Sequence, residues 1–112
     1  MSETYRAILR NVRITPRKAR LVAGLVRGKP VSTAIDALKL TNRRAAPVVS
    51  RLIQSAVANA KQKATIDIDR LVIAEIFVDK GMVLKRFLPR AQGRATGIVK
   101  RFSHITVKLK EI

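Results

Sequence analysis

From Lys80 to Arg101 the chain reads KGMVLKRFLPRAQGRATGIVKR and contains no carboxylate. Seven basic residues fall in this stretch: Lys80, Lys85, Arg86, Arg90, Arg94, Lys100 and Arg101. Like charges at this density repel one another, so the segment cannot collapse on itself and must lie against an anionic surface. Phosphate is the obvious partner. The middle, Leu88-Pro89-Arg90-Ala91-Gln92-Gly93, is turn material between two strand-like runs, and Phe87 and Phe102 flank the centre. A second acid-free stretch runs from Thr4 to Ile35, and the first continues to Lys110.

The whole chain shares this bias. Lys and Arg total 24 against 7 Asp and Glu, a formal net charge of +17 over 112 residues. Such a charge on a folded domain is an electrostatic footprint for nucleic acid, with an anionic membrane surface as the rival. An apolar content of 47% is too high for a disordered polycation and supplies one modest core, so one domain is expected. There is no cysteine, which excludes disulfides and thiolate metal sites and fits a reducing compartment. No apolar run approaches the roughly 18 residues of a membrane span. MSETYRAILR lacks a signal-peptide core, so no targeting segment is expected.

Tyr5 to Ile14 alternates loosely and predicts a strand, with Arg6, Arg10 and Arg13 between its apolar residues. Thr15-Pro16 then reads as a helix start, Thr15 capping and Pro16 in the first turn, where its missing N–H costs nothing. Ala19, Val22, Leu25 and Val26 form the expected buried face, and Gly28 stops the helix. Arg17 and Lys18 sit in the first turn, against the positive end of the helix dipole. This costs up to about 1 kcal/mol unless a phosphate binds there.

Val31, Ala34, Ile35 and Leu38 carry a second helix. A third is expected from a Thr41 or Asn42 cap to about Lys61 or Lys63. Its core stripe is Val48, Val49, Leu52, Ile53, Ala56, Val57 and Ala60, and Pro47 kinks or delays its start. After a connection from Ala64 to Asp69, Leu71–Val78 predicts a strand and Ile98–Leu109 its antiparallel partner. The basic block between them becomes a hairpin arm. About ten residues on each side at about 3.3 Å per residue give a projection of roughly 30 Å. Such an arm has no core of its own and is expected to be ordered by a partner.

Catalytic chemistry finds little support. His104 is the single histidine, and no nucleophile–base–orienter set accompanies it. It is expected to hydrogen-bond within the fold or to RNA. Asp67, Asp69 and Asp79 read as turn carboxylates or partners of nearby cations, and the glycines form no phosphate loop. Phe87 and Phe102 could pack or could stack on unpaired bases.

Several motifs carry a resemblance. Thr15-Pro16-Arg17-Lys18-Ala19-Arg20-Leu21-Val22, Arg27-Gly28-Lys29 and Ser55-Ala56-Val57-Ala58-Asn59-Ala60 resemble the large ribosomal subunit protein 22 family. So do Val78-Asp79-Lys80-Gly81, Leu84-Lys85-Arg86, Pro89-Arg90-Ala91-Gln92-Gly93-Arg94-Ala95 and Ser103-His104-Ile105-Thr106-Val107, in order over nearly the whole chain. Gln92 and Gly97 stand where the family is often basic, and Pro47 departs from its pattern.

The resemblance implies an α+β fold: a three-stranded antiparallel sheet packed on three helices, with a long protruding basic β-hairpin. The globular part would be residues 1–79 and 98–112 and the hairpin about 80–97. The resemblance further implies a non-enzymatic constituent of the large ribosomal subunit, cytoplasmic and monomeric within the ribosome. It would need no cofactor, metal or membrane, would bind large-subunit (23S-type) rRNA and neighbouring ribosomal proteins, and would assist assembly. The hairpin would run along the nascent-peptide exit tunnel, with Leu88, Pro89, Arg90, Ala91, Gln92 and Gly93 as its tip against the nascent polypeptide.

The residues expected at rRNA are Arg10, Arg13, Arg17, Lys18, Arg20, Lys80, Lys85, Arg86, Arg90, Arg94, Lys100, Arg101 and His104. A DNA-architectural protein with a proline-tipped arm is the main rival. A cationic membrane module and an RNA-directed enzyme are weaker ones.

Overall fold

In the computed structural model, residues 4–63, 67–89 and 95–112 are described, with 84–89 and 95–99 described by their backbone. The expectations for Arg90, Ala91, Gln92, Gly93 and Arg94, and for residues 64–66 of the connection, lie outside the described residues. So do those resting on the side chains of Lys85, Arg86, Phe87, Leu88 and Pro89.

The order of elements is β1 (Thr4–Val12), α1 (Pro16–Val26), α2 (Val31–Leu40), α3 (Ala46–Lys63), a 3-10 turn at Ile68–Arg70, β2 (Leu71–Pro89) and β3 (Ala95–Glu111). The strands form one antiparallel sheet in the order β1-β3-β2. It is an α+β fold, with three helices on a three-stranded sheet.

Strand alternation decides which residues meet the helices. Tyr5 and Ala7 of β1, Ile73, Ile76 and Val78 of β2, and Ile105, Val107 and Leu109 of β3 point inward and are buried. They join Ala19, Val22, Ala23 and Val26 of α1, Val31, Ala34 and Leu38 of α2, and Val49, Leu52, Ile53, Ala56 and Ala60 of α3 in one cluster. Residues of the opposite sheet face, such as Ile8 and Phe77, are absent from that cluster.

β2 and β3 run on past the expected Leu71–Val78 and Ile98–Leu109 into the hairpin, and the ends of β1 and α3 also differ from the expectation. β1 ends at Val12 rather than Ile14, because the register with β3 slips between Leu9 and Val12 at a bulge. Asn11 occupies the left-handed region there, φ 57°. α3 begins at Ala46, later than a Thr41 or Asn42 cap would place it. The Thr41 hydroxyl instead donates back to the Ala37 carbonyl at 2.8 Å, and Thr41 ends α2. The delayed start puts Pro47 in the first turn, where a backbone N–H would have no acceptor within the helix.

On α1 the buried face is rotated from the expected one. Ala23 is fully buried, while Leu25 is 43% exposed. Thr15 occupies the N-cap position with Pro16 in the first turn, although no side-chain capping bond forms. Gly28, at φ 78°, ends the element as expected.

β2 and β3 remain paired far beyond the helices. The register shifts between Lys80 and Val83, then runs without a break from Val83 opposite Arg101 to Pro89 opposite Ala95. Leu88 and Pro89 therefore pair with Thr96 and Ala95 rather than lying in the turn. The molecule measures 63 Å along its longest axis and 26 and 18 Å across.

Candidate nucleic-acid interface

Where β1 leaves the sheet, the chain turns sharply into α1. Ser103, fully buried on β3, donates its hydroxyl to the Ile14 carbonyl at 2.6 Å and pins this corner. The loop between α2 and α3 lies beside it, and β3 runs past it on its way from the hairpin. These segments enclose an open cleft of about 530 Å³ lined by Arg13, Ile14, Thr15, Lys18, Asn42, Arg43, Arg44, Ala45, Lys100 and Arg101.

Six of the lining residues are cationic and none is acidic. Arg13 and Lys18 come from the first acid-free stretch, Lys100 and Arg101 from the second, so residues far apart in sequence share one cleft. The two helices that start here add to the field. Neither α1 nor α3 has an acidic residue in its first turn, and the Thr15 side chain caps nothing. Their first backbone N–H groups have no acceptor within the helix and carry the positive end of its dipole. Unoccupied, the cleft is a site of mutual repulsion. A phosphate group would reverse the sign of every one of these terms.

Arg43 and Arg44 belong to this cleft but escaped the sequence reading. An Arg-Arg pair just ahead of a helix start was the available signal, obscured by placing that start at Thr41 or Asn42. Arg17 is exposed beside the cleft on the first turn of α1, and Arg10 is exposed at the β1 bulge.

Arg20 has a second task that sequence alone did not disclose. Its Nε and Nη2 donate to the Val78 carbonyl at 3.3 and 3.1 Å, and Arg27 grips the Ile76 carbonyl in the same way at 3.3 and 2.7 Å. β2 is an edge strand, so these carbonyls have no strand to pair with. The two guanidinium forks satisfy them from α1. Further along the same edge, the Gly28 N–H donates to Ile73 O and the Ile73 N–H to Lys29 O, each at 3.0 Å.

His104 accepts the Asn11 backbone N–H on Nδ1 at 3.1 Å, which places its ring proton on Nε2 and ties it to the bulge. It lies opposite Asp79 across the sheet. Lys80 is exposed next to Gly81 at the root of the hairpin. Phe102 is half-buried, whereas Phe77, within the strand expected at Leu71–Val78, is 36% exposed on the helix-free face. Asp67 accepts the Asp69 backbone N–H at 3.0 Å, an exposed turn carboxylate as expected. Among the described residues no three potential metal ligands come together, and no helix is long and apolar enough to cross a membrane.

Comparison with known proteins agrees with this basic, non-catalytic surface. The family described as "Ribosomal protein L22p/L17e" matches residues 7–110. The "Large ribosomal subunit protein uL22" of Syntrophotalea carbinolica is 58% identical over 106 residues, covering 95% of this chain and 96% of that relative. The protein of the same name from Macrococcus caseolyticus is 54% identical over 102 residues, covering 91% and 82%. With an α+β fold, a paired basic hairpin and a match spanning nearly its whole length, the chain belongs to the ribosomal protein L22p/L17e family.

Proposed function

We propose that this chain is a structural constituent of the large ribosomal subunit, in the cytoplasm, that binds large-subunit rRNA and neighbouring ribosomal proteins and has no catalytic role. The observation that carries the reading is the acid-free cleft at the meeting of β1, α1, the α2–α3 loop and β3. Its mechanism is electrostatic. With 24 cations against 7 acids, most Lys and Arg side chains have no carboxylate to pair with. Neutralising phosphates with them releases counterions and gives an affinity that falls steeply with salt.

In this reading Arg13, Lys18, Lys100 and Arg101, with Arg43 and Arg44, hold one crowded stretch of phosphate backbone. Arg10, Arg17, Lys80 and the free side of Arg20 extend the contact, and His104 stiffens the sheet beneath it. Residues 1–79 and 98–112 form the body, and the hairpin about residues 80–97 reaches into the RNA. Lys85, Arg86, Arg90 and Arg94 supply its phosphate contacts, and Leu88 to Gly93 face the nascent polypeptide at the tunnel wall. A paired ribbon suits this role because it threads where a wider fold would not pass, and RNA neutralises the charge that otherwise strains it.

Sedimentation of cell lysate at low magnesium and moderate salt tests the reading. Co-migration with the large subunit, lost at high salt, is the expected result. Migration with nucleoid DNA overturns it in favour of an architectural DNA-binding protein.

A further inference from the structure

The helices cover one face of the sheet and leave the other bare. Across the centre of the bare face the strand register aligns Ile8 of β1, Thr106 of β3 and Phe77 of β2. Ile8 is 40% and Phe77 36% exposed, with Thr106 enclosed between them. The adjacent row is Arg6, Lys108 and Glu75, and the next adds Lys110 opposite Thr4 and Val72. On the other side of Phe77, Asp79 pairs with His104. The Lys108 ammonium lies 5.7 Å from the centroid of the Phe77 ring and 3.4 Å from the Glu75 carboxylate. None of these residues lines the cationic cleft.

We propose that this bare face is a second RNA-binding surface, on which an unpaired base of single-stranded RNA stacks on Phe77 while its neighbouring phosphates meet Lys108 and Arg6. The inference rests on the rRNA-binding reading above and adds a base-contacting platform to it. A phenylalanine on the open side of a sheet contributes less to folding than one in the core, because much of its apolar area stays in water. A sheet that offers an aromatic ring beside cations is the arrangement that holds unpaired bases by stacking and their backbone by charge. Glu75 keeps Lys108 above the ring in the free protein, and a phosphate offers Lys108 a competing anionic partner at the same place. Charge complementarity also selects the occupant. An apolar protein surface would have to desolvate Arg6 and Lys110, and Lys108 with only Glu75 beside it, whereas a polyanion supplies each of the three with a phosphate partner.

Ultraviolet crosslinking of purified large subunits, followed by ribonuclease and trypsin digestion, tests this directly. Phe77 is the one aromatic residue in the tryptic peptide Leu71–Lys80. A nucleotide adduct on Phe77 is expected. Adducts on the peptides of the cationic cleft, with none on Leu71–Lys80, overturn the stacking platform and leave the rRNA-binding reading intact. Absence of the chain from the subunit overturns both. As a second measurement, binding of a short single-stranded uridine oligomer to the full chain should weaken about tenfold in Phe77→Leu and stay near the parent value in Phe77→Tyr, which keeps the ring. Equal affinities for all three proteins overturn the proposal.

Discussion

The Ser103 hydroxyl donates to the Ile14 carbonyl at 2.6 Å, joining residues 89 positions apart. Ser103 is fully buried, opposite the last residue of β1, and Ile14 lines the cationic cleft. The bond therefore ties the cleft wall to the sheet. Ser103→Ala removes the donor and leaves the Ile14 carbonyl without its partner, a loss of about 1–3 kcal/mol. In a chain of this size the midpoint of thermal unfolding should fall by roughly 4 °C or more, with the far-ultraviolet circular dichroism unchanged. An unaltered midpoint would mean that water satisfies the carbonyl equally well.

Arg20 of α1 and Arg27, the residue that ends it, make a different kind of tie, to the free edge of β2. Two donors of one planar guanidinium converge on a single carbonyl in each case, a geometry that a lysine ammonium does not reproduce. Arg27→Lys keeps the charge and should still destabilise the protein by about 1 kcal/mol, discounted for partial exposure. Hydrogen exchange offers a sharper readout. Amides of α1 should lose protection more than those of α3 in Arg27→Lys. Equal loss in both helices would show that the bond supports only global stability.

The main outlines were legible in sequence because they follow from local chemistry. Thr15-Pro16 and Gly28 bracket α1, and the apolar stripes of α2 and α3 fix their buried faces. Local patterns failed where tertiary partners decide. Thr41 is as good a helix starter as it is a terminator, and its bond to Ala37 settles which. Leu25 lost its expected core position to the smaller Ala23 on the face that packs closely against β2 and β3. Arg20 reads as one more cation until the unpaired edge carbonyl of Val78 is placed beside it. Arg43 and Arg44 gain meaning only when the fold brings them to Arg13 and Lys100, a proximity that no sequence spacing encodes.

Gly81 sits at the bulge where the body of the sheet becomes the hairpin. A Cβ built there would lie 3.0 Å from the Phe102 carbonyl oxygen, 3.1 Å from its carbon and 3.3 Å from the His104 ring. The first two contacts are with backbone, which cannot step aside as a flexible side chain would. Gly81→Ala should therefore cost about 1–3 kcal/mol through strain and displaced pairing. Because His104 also accepts the Asn11 N–H, the same substitution should shift the imidazole and Asn11 amide resonances together. Unchanged resonances at both sites would show that the strand relaxes away from β3 instead of pushing on it.

Arg43 and Arg44 separate binding from folding most cleanly. Both are exposed, and no hydrogen bond or ion pair within the chain engages their side chains among the described contacts. Removing them from a cleft of like charges should leave stability within about 0.5 kcal/mol of the parent. Their effect should appear against RNA. Each lost phosphate contact reduces the magnitude of the slope of log K against log salt by roughly 0.7–0.9. Arg43→Ala with Arg44→Ala should thus flatten the slope by about 1.5, and Arg17→Ala with Lys18→Ala by a similar amount if both reach phosphate. Reduced affinity with a flattened slope and an unchanged melting temperature identifies phosphate contacts. An unchanged slope for the Arg43 and Arg44 pair would remove the α2–α3 loop from the interface and confine binding to α1, β3 and the hairpin.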